Sequence, residues 1–207
     1  MTNVAIVVHS LGGSSMGLAQ AIQQGAADVE DADVRLLRVA DLVPDDQLSA
    51  NPRFGEAFAT RVAPFPVATA DDLSWADAII LGSGTRFGSA SSSMRAFLEG
   101  AAQLWMTGAL VGKVGAAFAT SSTPHGGVEV TVRDLLTTLM HFGMIIVPPG
   151  YADPIYFRAG SPYGAVAQAG GMHGLEPTED DFAAARFLGK HVTEVAGRLA
   201  PIPAGVE

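Results

Sequence analysis

VAIVVHSLGGSSMG, residues 4–17, joins an apolar run to a loop of glycine and serine. The run VAIVV (4–8) has the composition of a buried strand, and a segment with helical periodicity follows the loop. Four more short apolar runs lie along the chain, at residues 34–39, 78–82, 114–120 and 144–148. Longer segments of helical period separate them. This alternation predicts βαβ units around a parallel sheet that is buried on both faces.

The remaining segments predict helices and two long connections. An apolar stripe from Phe182 to Leu199 indicates a last helix with Thr178 as its N-cap, and residues 90–105 indicate a shorter helix with a serine cap. Residues 41–72 contain four prolines and predict a surface connection with one short helix at 54–61. Residues 149–177 are rich in glycine and predict an extended loop. Long connections of this kind are often functional.

Composition limits the classes of function. Hydrophobic residues make up 48% and charged residues 16%, which favours a compact protein, and we expect one domain over residues 1–207. The net charge of -9 argues against a nucleic-acid partner and favours a small molecule. The chain has no cysteine, no apolar run of membrane-spanning length and no basic start of a signal peptide. We therefore expect a cytoplasmic protein without membrane insertion.

The loop after the first strand is a candidate anion site. Ser10, Ser14 and Ser15 surround Gly12 and Gly13 immediately before a helix. The loop has neither the G-x-G-x-x-G spacing of dinucleotide folds nor the G-K-[S/T] of triphosphate loops. Its hydroxyls and the N–H groups at the helix start could hold a phosphate monoester. They could equally form a capped turn, and the residues alone leave both interpretations open.

Two further loops leave the carboxyl ends of predicted strands, where ligands bind in open parallel sheets. Thr85, Arg86 and Phe87 combine hydrogen-bond donors with an aromatic ring, although Arg86 could be a surface ion-pair partner and Phe87 a core residue. The third loop, SSTPHGG (121–127), again offers hydroxyls and glycine. No histidine here has the serine and acid pattern of a hydrolase triad, and no spacing indicates a metal site. The residues therefore indicate neither a hydrolase nor a metal site, and we name no catalytic side chain and no metal ligand.

Three longer stretches carry a family resemblance. They are GTRFGSASSSMRAFLEGAAQLWMTGALVGKVGAAFAT (84–120), TTLMHFGMIIVPPGY (137–151) and SPYGAVAQAGG (161–171). With these stretches the chain resembles the WrbA-type NAD(P)H:quinone oxidoreductases of the flavodoxin-like superfamily over nearly its whole length. The resemblance implies a doubly wound, five-stranded α/β fold with strand order 2-1-3-4-5 in three αβα layers. It also implies noncovalent FMN, NADH or NADPH as electron donor, a quinone as acceptor, and a homotetramer.

The resemblance also assigns residues to the FMN site. The phosphate would lie in the first loop, at Ser10, Leu11, Gly12, Gly13, Ser14 and Ser15. The isoalloxazine ring would lie at Thr85, Arg86, Phe87 and Gly88. Its other edge would meet Thr120, Ser121, Ser122, Thr123, Gly126 and Gly127. His141 would reach the flavin pocket, in a neighbouring subunit, and Trp105 would wall the substrate cavity.

The first loop departs from the family pattern Ser-x-Tyr-Gly-His. Gly12 stands at the tyrosine and Ser14 at the histidine. The aromatic surface that relatives place near the flavin is therefore missing, which leaves donor and acceptor preference open. Two other hypotheses share the same cradle: a flavodoxin-type electron carrier between proteins, and a non-catalytic relative that has lost flavin.

Overall fold

The sheet of this computed structural model, which describes residues 1–170 and 174–199, is parallel and doubly wound. Its strands are β1 (Thr2–His9), β2 (Ala32–Arg38), β3 (Ala78–Gly84), β4 (Val114–Ser121), β5 (Ile145–Ile146) and β6 (Ala165–Gln168). Their order is β2-β1-β3-β4-β5, with β6 also paired to β4. All five predicted strands are present, the fifth much shorter than predicted, and the predicted order 2-1-3-4-5 is confirmed.

Helices cover both faces of the sheet. In β1, Val4, Ile6 and Val8 pack on one side, while Ala5 and Val7 pack on the other. The first side is covered by α1 (Ser14–Ala27) and α8 (Glu179–Arg198), and the second by α4 (Ala70–Trp75), α5 (Ser92–Gly100) and α7 (Val128–His141). A short α6 (Ala102–Met106) follows α5. None of the helices in the described ranges is long and apolar enough to cross a membrane.

Glycine allows α1 and α8 to approach each other closely. A Cβ added to Gly25 would lie 1.8 Å from the Arg186 carbonyl oxygen, and one added to Gly189 would lie 2.0 Å from the Ile22 carbonyl oxygen. Any larger side chain would separate the helices.

The predicted N-cap of α8 is present, because Thr178 and Asp181 form a reciprocal capping box.

The prediction of an unbroken loop over residues 149–177 is wrong. A 3-10 helix (Pro154–Phe157) and strand β6 lie within it. β5 pairs with Val114 and Gly115 at the start of β4, and β6 pairs with the end of β4 from Phe118 to Ser121. Two short segments thus share one edge of β4, and a four-residue strand between glycines gives too little periodicity to predict. Residues 171–173 of this region, including the last residue of the SPYGAVAQAGG stretch, lie outside the described residues.

The connection over residues 41–72 is more helical than predicted. The expected short helix is α3 (Gly55–Arg61), but α2 (Asp45–Ser49) also lies in this range and α4 begins in it. A buried arginine at the end of β2 holds the connection: Arg38 donates to the Phe65 carbonyl oxygen at 3.1 Å and pairs with Asp45 at 2.5 Å. This anchoring is a tertiary contact, which sequence periodicity does not register.

Candidate functional site

A cavity of about 440 Å³ opens at the carboxyl ends of β1, β3 and β4. Its volume lies in the usual range for small-molecule sites. All three glycine and hydroxyl loops contribute to its wall. The predicted site residues that line it are Ser10, Leu11, Gly12, Ser14, Ser15, Thr85, Arg86, Thr120, Ser121 and Ser122.

The first loop leaves the start of α1 without a side-chain cap. Gly13 is the N-cap in a left-handed conformation (φ +88°), and no side chain accepts from the first-turn N–H groups. The Ser10 hydroxyl oxygen accepts instead from the Gly13 N–H at 3.1 Å, inside the loop. By contrast, Ser91 caps α5 through the Met94 N–H. Unpartnered donors at a helix start attract anions, so this geometry favours the anion cradle over the capped turn.

The Ser15 hydroxyl joins the first loop to the third. Its oxygen lies 2.7 Å from the Thr120 hydroxyl oxygen, and both side chains are buried. Gly84, at the end of β3, lies beside them: a Cβ there would be 3.7 Å from the Ser15 oxygen, 3.8 Å from the Thr120 oxygen and 3.3 Å from the Arg86 guanidinium. Three polar groups from three loops thus converge on one position that carries no side chain.

Helix α7 fixes the second loop at both ends. Thr131 donates to the Thr85 hydroxyl at 3.1 Å, and Asp134 accepts from the Ala90 N–H at 3.0 Å while pairing with Arg95. The loop between these anchors is a tight turn.

The described ranges support neither the surface ion pair considered for Arg86 nor the core position considered for Phe87. Arg86 forms no ion pair there; its guanidinium donates to the Thr85 carbonyl oxygen at 3.0 Å and lines the cavity. Phe87 is not a core residue, because it is fully exposed with φ +52°, an uncommon conformation for a bulky residue.

The third loop packs against the second. The Ser121 hydroxyl donates to the Thr123 carbonyl oxygen at 2.8 Å, which closes the loop on itself. A Cβ on Gly127 would lie 3.1 Å from the Gly88 Cα, so these two glycines let the loops touch. Thr123, Gly126, Gly127 and Gly88 support the cavity wall without lining it.

Four further predicted residues do not line the cavity of their own chain. Gly13 and Phe87 are in the right loops but do not line it. His141 ends the 14-residue helix α7, so it lies roughly 20 Å along the helix from the third loop. Trp105 is exposed on α6. Contacts of His141 and Trp105 with a flavin site therefore stay predictions that require a second subunit.

Sequence reasoning missed one polar residue that it could have found. His9 is the last residue of β1, buried, and it lines the cavity. Its imidazole Nε2–H donates to Asp41 at 2.7 Å, and Asp41 also accepts from the Ser93 hydroxyl at 3.0 Å. A histidine that directly follows a buried apolar run and precedes the serine loop was a visible signal.

Burial sets the ionisation of this pair. Removal from water lowers the pKa of His9, as does the nearby Arg86 guanidinium, while Asp41 opposes the shift. Burial would raise the pKa of Asp41, but hydrogen bonds from the Val43 N–H and from the His9 and Ser93 side chains lower it overall. The pair is therefore a neutral imidazole beside a carboxylate at neutral pH.

The other missed residues come from segments without a sequence signal. The 41–72 connection contributes part of the wall, and the segment after β6 contributes another part. These residues are Arg53, Phe54, Ala57, Ala169, Gly170, Gly174, Leu175 and Glu176, with Gly84 beneath them. At the rim, Arg61 pairs with Glu176 at 2.8 Å and its side chain packs over Gly13.

The donor set fits a phosphate-bearing, partly planar ligand. The first loop supplies N–H groups and hydroxyls with no carboxylate, and the second and third loops supply polar backbone beside the Arg86 guanidinium. The described ranges contain no cluster of three histidine or carboxylate side chains that would hold a metal ion. FMN, the cofactor that the resemblance implies, matches these donors.

Known proteins resemble the chain throughout. Residues 2–156 match the family model described as NADPH-dependent FMN reductase. A protein named NAD(P)H dehydrogenase (quinone) from Geotalea daltonii is 43% identical over 95% of this chain and 97% of its own length. One of the same name from Trichlorobacter lovleyi is 40% identical over 96% of this chain and 99% of its own length.

Solved structures share the fold. A flavodoxin, WrbA-like protein from Agrobacterium tumefaciens superposes with a TM-score of 0.66 at 23% identity, over 96% of this chain and 99% of its own. A structure described as an NADH:FMN oxidoreductase in its apo form gives a TM-score of 0.62 at 18% identity, over 94% of this chain and 90% of its own. At these identities the likeness concerns the fold alone.

Proposed function

The chain belongs to the NADPH-dependent FMN reductase family, and we propose that it is a WrbA-type member that transfers two electrons from NADH or NADPH to quinones with FMN as cofactor. The observation that carries this function is the convergence of three hydroxyl and glycine loops on one cavity, beside an uncapped helix start. The names of relatives at 40–43% identity over nearly the whole chain support the same activity.

The chain's own residues hold and orient the cofactor. The N–H groups at the start of α1 and the hydroxyls of Ser10 and Ser14 would bind the phosphate. Thr85–Gly88 and Thr120–Gly127 would flank the ring, and the α7 anchors Thr131 and Asp134 keep the first of these loops in place.

Bound flavin supplies the redox chemistry, so the protein needs no acid or base of its own for the electron transfer. Its residues instead exclude water and fix the approach of nucleotide and quinone, which would use the same space in turn. Such alternation predicts ping-pong kinetics. Because the first loop carries Gly12 in place of an aromatic residue, the approach to the ring is wider than the family pattern implies.

We also propose a homotetramer in the cytoplasm. Large apolar side chains are exposed on α6, α7 and β5, namely Trp105, Met106, Met140 and Ile145. Exposed apolar surface of this kind favours contacts between subunits. In a tetramer, His141 and Trp105 of one chain would complete the flavin site of another. Sedimentation of the wild type and of Met106→Glu tests this: the variant is expected to dissociate, and an unchanged mass would count against the contact.

Reconstitution tests the proposed activity. Flavin-free protein is titrated with FMN, and NADH or NADPH oxidation is then followed with and without a benzoquinone. We expect one FMN per chain, quinone-dependent turnover and parallel double-reciprocal plots. An electron carrier would bind FMN but turn over only with a partner reductase, and a protein that binds no FMN would end the proposal.

A further inference from the structure

His9 is a buried titratable residue in the cavity wall that the proposed electron transfer does not use. Its side chain follows the β1 register toward α5, and the residue as a whole is 3% exposed. Asp41 takes the Nε2–H and is itself held by Ser93 and the Val43 N–H. The imidazole is therefore fixed in one orientation and one tautomer, with the proton on Nε2 when it is neutral.

The second ring nitrogen opens to the cavity. Nδ1 has no hydrogen-bond partner among the described residues. Within those residues, every side-chain nitrogen or oxygen that is fully buried does have a partner, so Nδ1 is not fully buried. Nδ1 therefore contacts the cavity space that His9 lines. In the neutral ring Nδ1 is an acceptor, whereas in the protonated ring it is a donor with a positive charge.

The charged groups around His9 oppose each other. Asp41, on the connection after β2, favours the protonated ring, while Arg86, on the loop after β3, disfavours it. From α5, Ser93 contributes only a neutral hydroxyl. The first loop itself contains no lysine or arginine, and the other charged side chains that line the cavity, Arg53 and Glu176, carry opposite charges. An anion entering the cavity would add the negative charge that shifts this balance toward protonation.

We propose that His9 is the proton-linked residue of the cavity, taking up a proton at Nδ1 when a phosphate-bearing flavin binds. This inference rests on the proposed function and adds to it a group whose charge responds to the phosphate. His9 directly precedes the phosphate loop in sequence and lines the same cavity, so a positive charge on its ring acts on an anion held there. FMN affinity is then higher at low pH than at high pH. The total difference is tenfold for each unit by which FMN binding raises the His9 pKa.

Calorimetry in buffers of different ionisation enthalpy measures the proton uptake. Wild type, His9→Gln and the control His191→Gln, on α8, are titrated with FMN and with riboflavin at pH 6.5. Any protonation of the phosphate itself on binding also occurs in His9→Gln, so the difference between wild type and this variant measures the proton taken up by His9. We expect wild type and His191→Gln to take up at least about 0.3 proton per FMN more than His9→Gln, and no such excess with riboflavin.

The outcomes separate the inference from the function it rests on. Normal FMN binding with equal proton uptake in wild type and His9→Gln overturns the role of His9 and leaves the flavin site intact. Equal excess uptake with riboflavin also overturns it, because the phosphate would not be the trigger. Loss of FMN binding by the wild type overturns both.

Discussion

Replacing Ser14 with alanine isolates the phosphate-binding role of the first loop. Ser14 is the first residue of α1 and lines the cavity, and its hydroxyl has no hydrogen-bond partner among the described residues. Its removal therefore breaks no contact within that part of the chain. Ser15 is unsuitable, because its loss would also break the 2.7 Å link to Thr120.

The expected loss in the Ser14→Ala variant follows from one hydrogen bond to a charged group. Such a bond contributes about 1.5–3 kcal/mol, so its loss should raise the FMN dissociation constant roughly 10- to 150-fold. Riboflavin, which has no phosphate, should bind within about twofold of wild type, and the urea midpoint should not move. Ser74→Ala, on an exposed position of α4, is the matched control.

Flavin fluorescence titrations of both variants decide the matter. Equal losses for FMN and riboflavin would mean that Ser14 acts on the shape of the loop. An FMN dissociation constant unchanged by Ser14→Ala would refute the phosphate assignment of this hydroxyl.

Three other changes probe the loops around the cavity. Gly13→Ala should cost about 1–2 kcal/mol in urea unfolding, because φ is +88° and the new Cβ would lie 2.7 Å from the Arg61 Cδ; an unchanged midpoint would contradict that conformation. Asp134→Ala frees the Ala90 N–H and should speed amide exchange over the second loop and lower quinone turnover; unchanged exchange would show that α7 does not hold the loop. The folded pKa of His9 is below its unfolded value, so flavin-free protein should lose stability as pH falls from about 6.5 toward the folded pKa and then level off. Urea titrations from pH 5 to 8 should show a smaller decline in His9→Gln, and an equal decline would exclude His9 as its source.

The sequence predicts the parts of the fold that depend on local pattern. VAIVV and its four counterparts are apolar because both faces of the sheet are covered, and that pattern was enough to find five strands. Strand order came from the family resemblance, since periodicity says nothing about which strands pair. β6 was not predicted because it has only four residues, and its pairing with the end of β4 is a contact between segments distant in sequence.

The site was predictable where a loop leaves a strand and unpredictable where a distant segment folds over it. The serine and glycine loops were found for this reason. Glu176 was missed because it reaches the rim through an ion pair with Arg61, far away in sequence. Arg53 and Phe54 were missed because the connection that carries them is anchored by Arg38 at the end of β2. The exposure of Phe87 depends on its positive φ, which no composition rule indicates.

An anaerobic absorption spectrum tests the central claim most directly. Protein loaded with FMN is mixed with NADH or NADPH and then with a benzoquinone, without any partner reductase. The account predicts that the flavin absorbance bleaches with at least one nucleotide and returns on adding the quinone. A flavin that neither nucleotide reduces, or a reduced flavin that the quinone does not reoxidise, would contradict it.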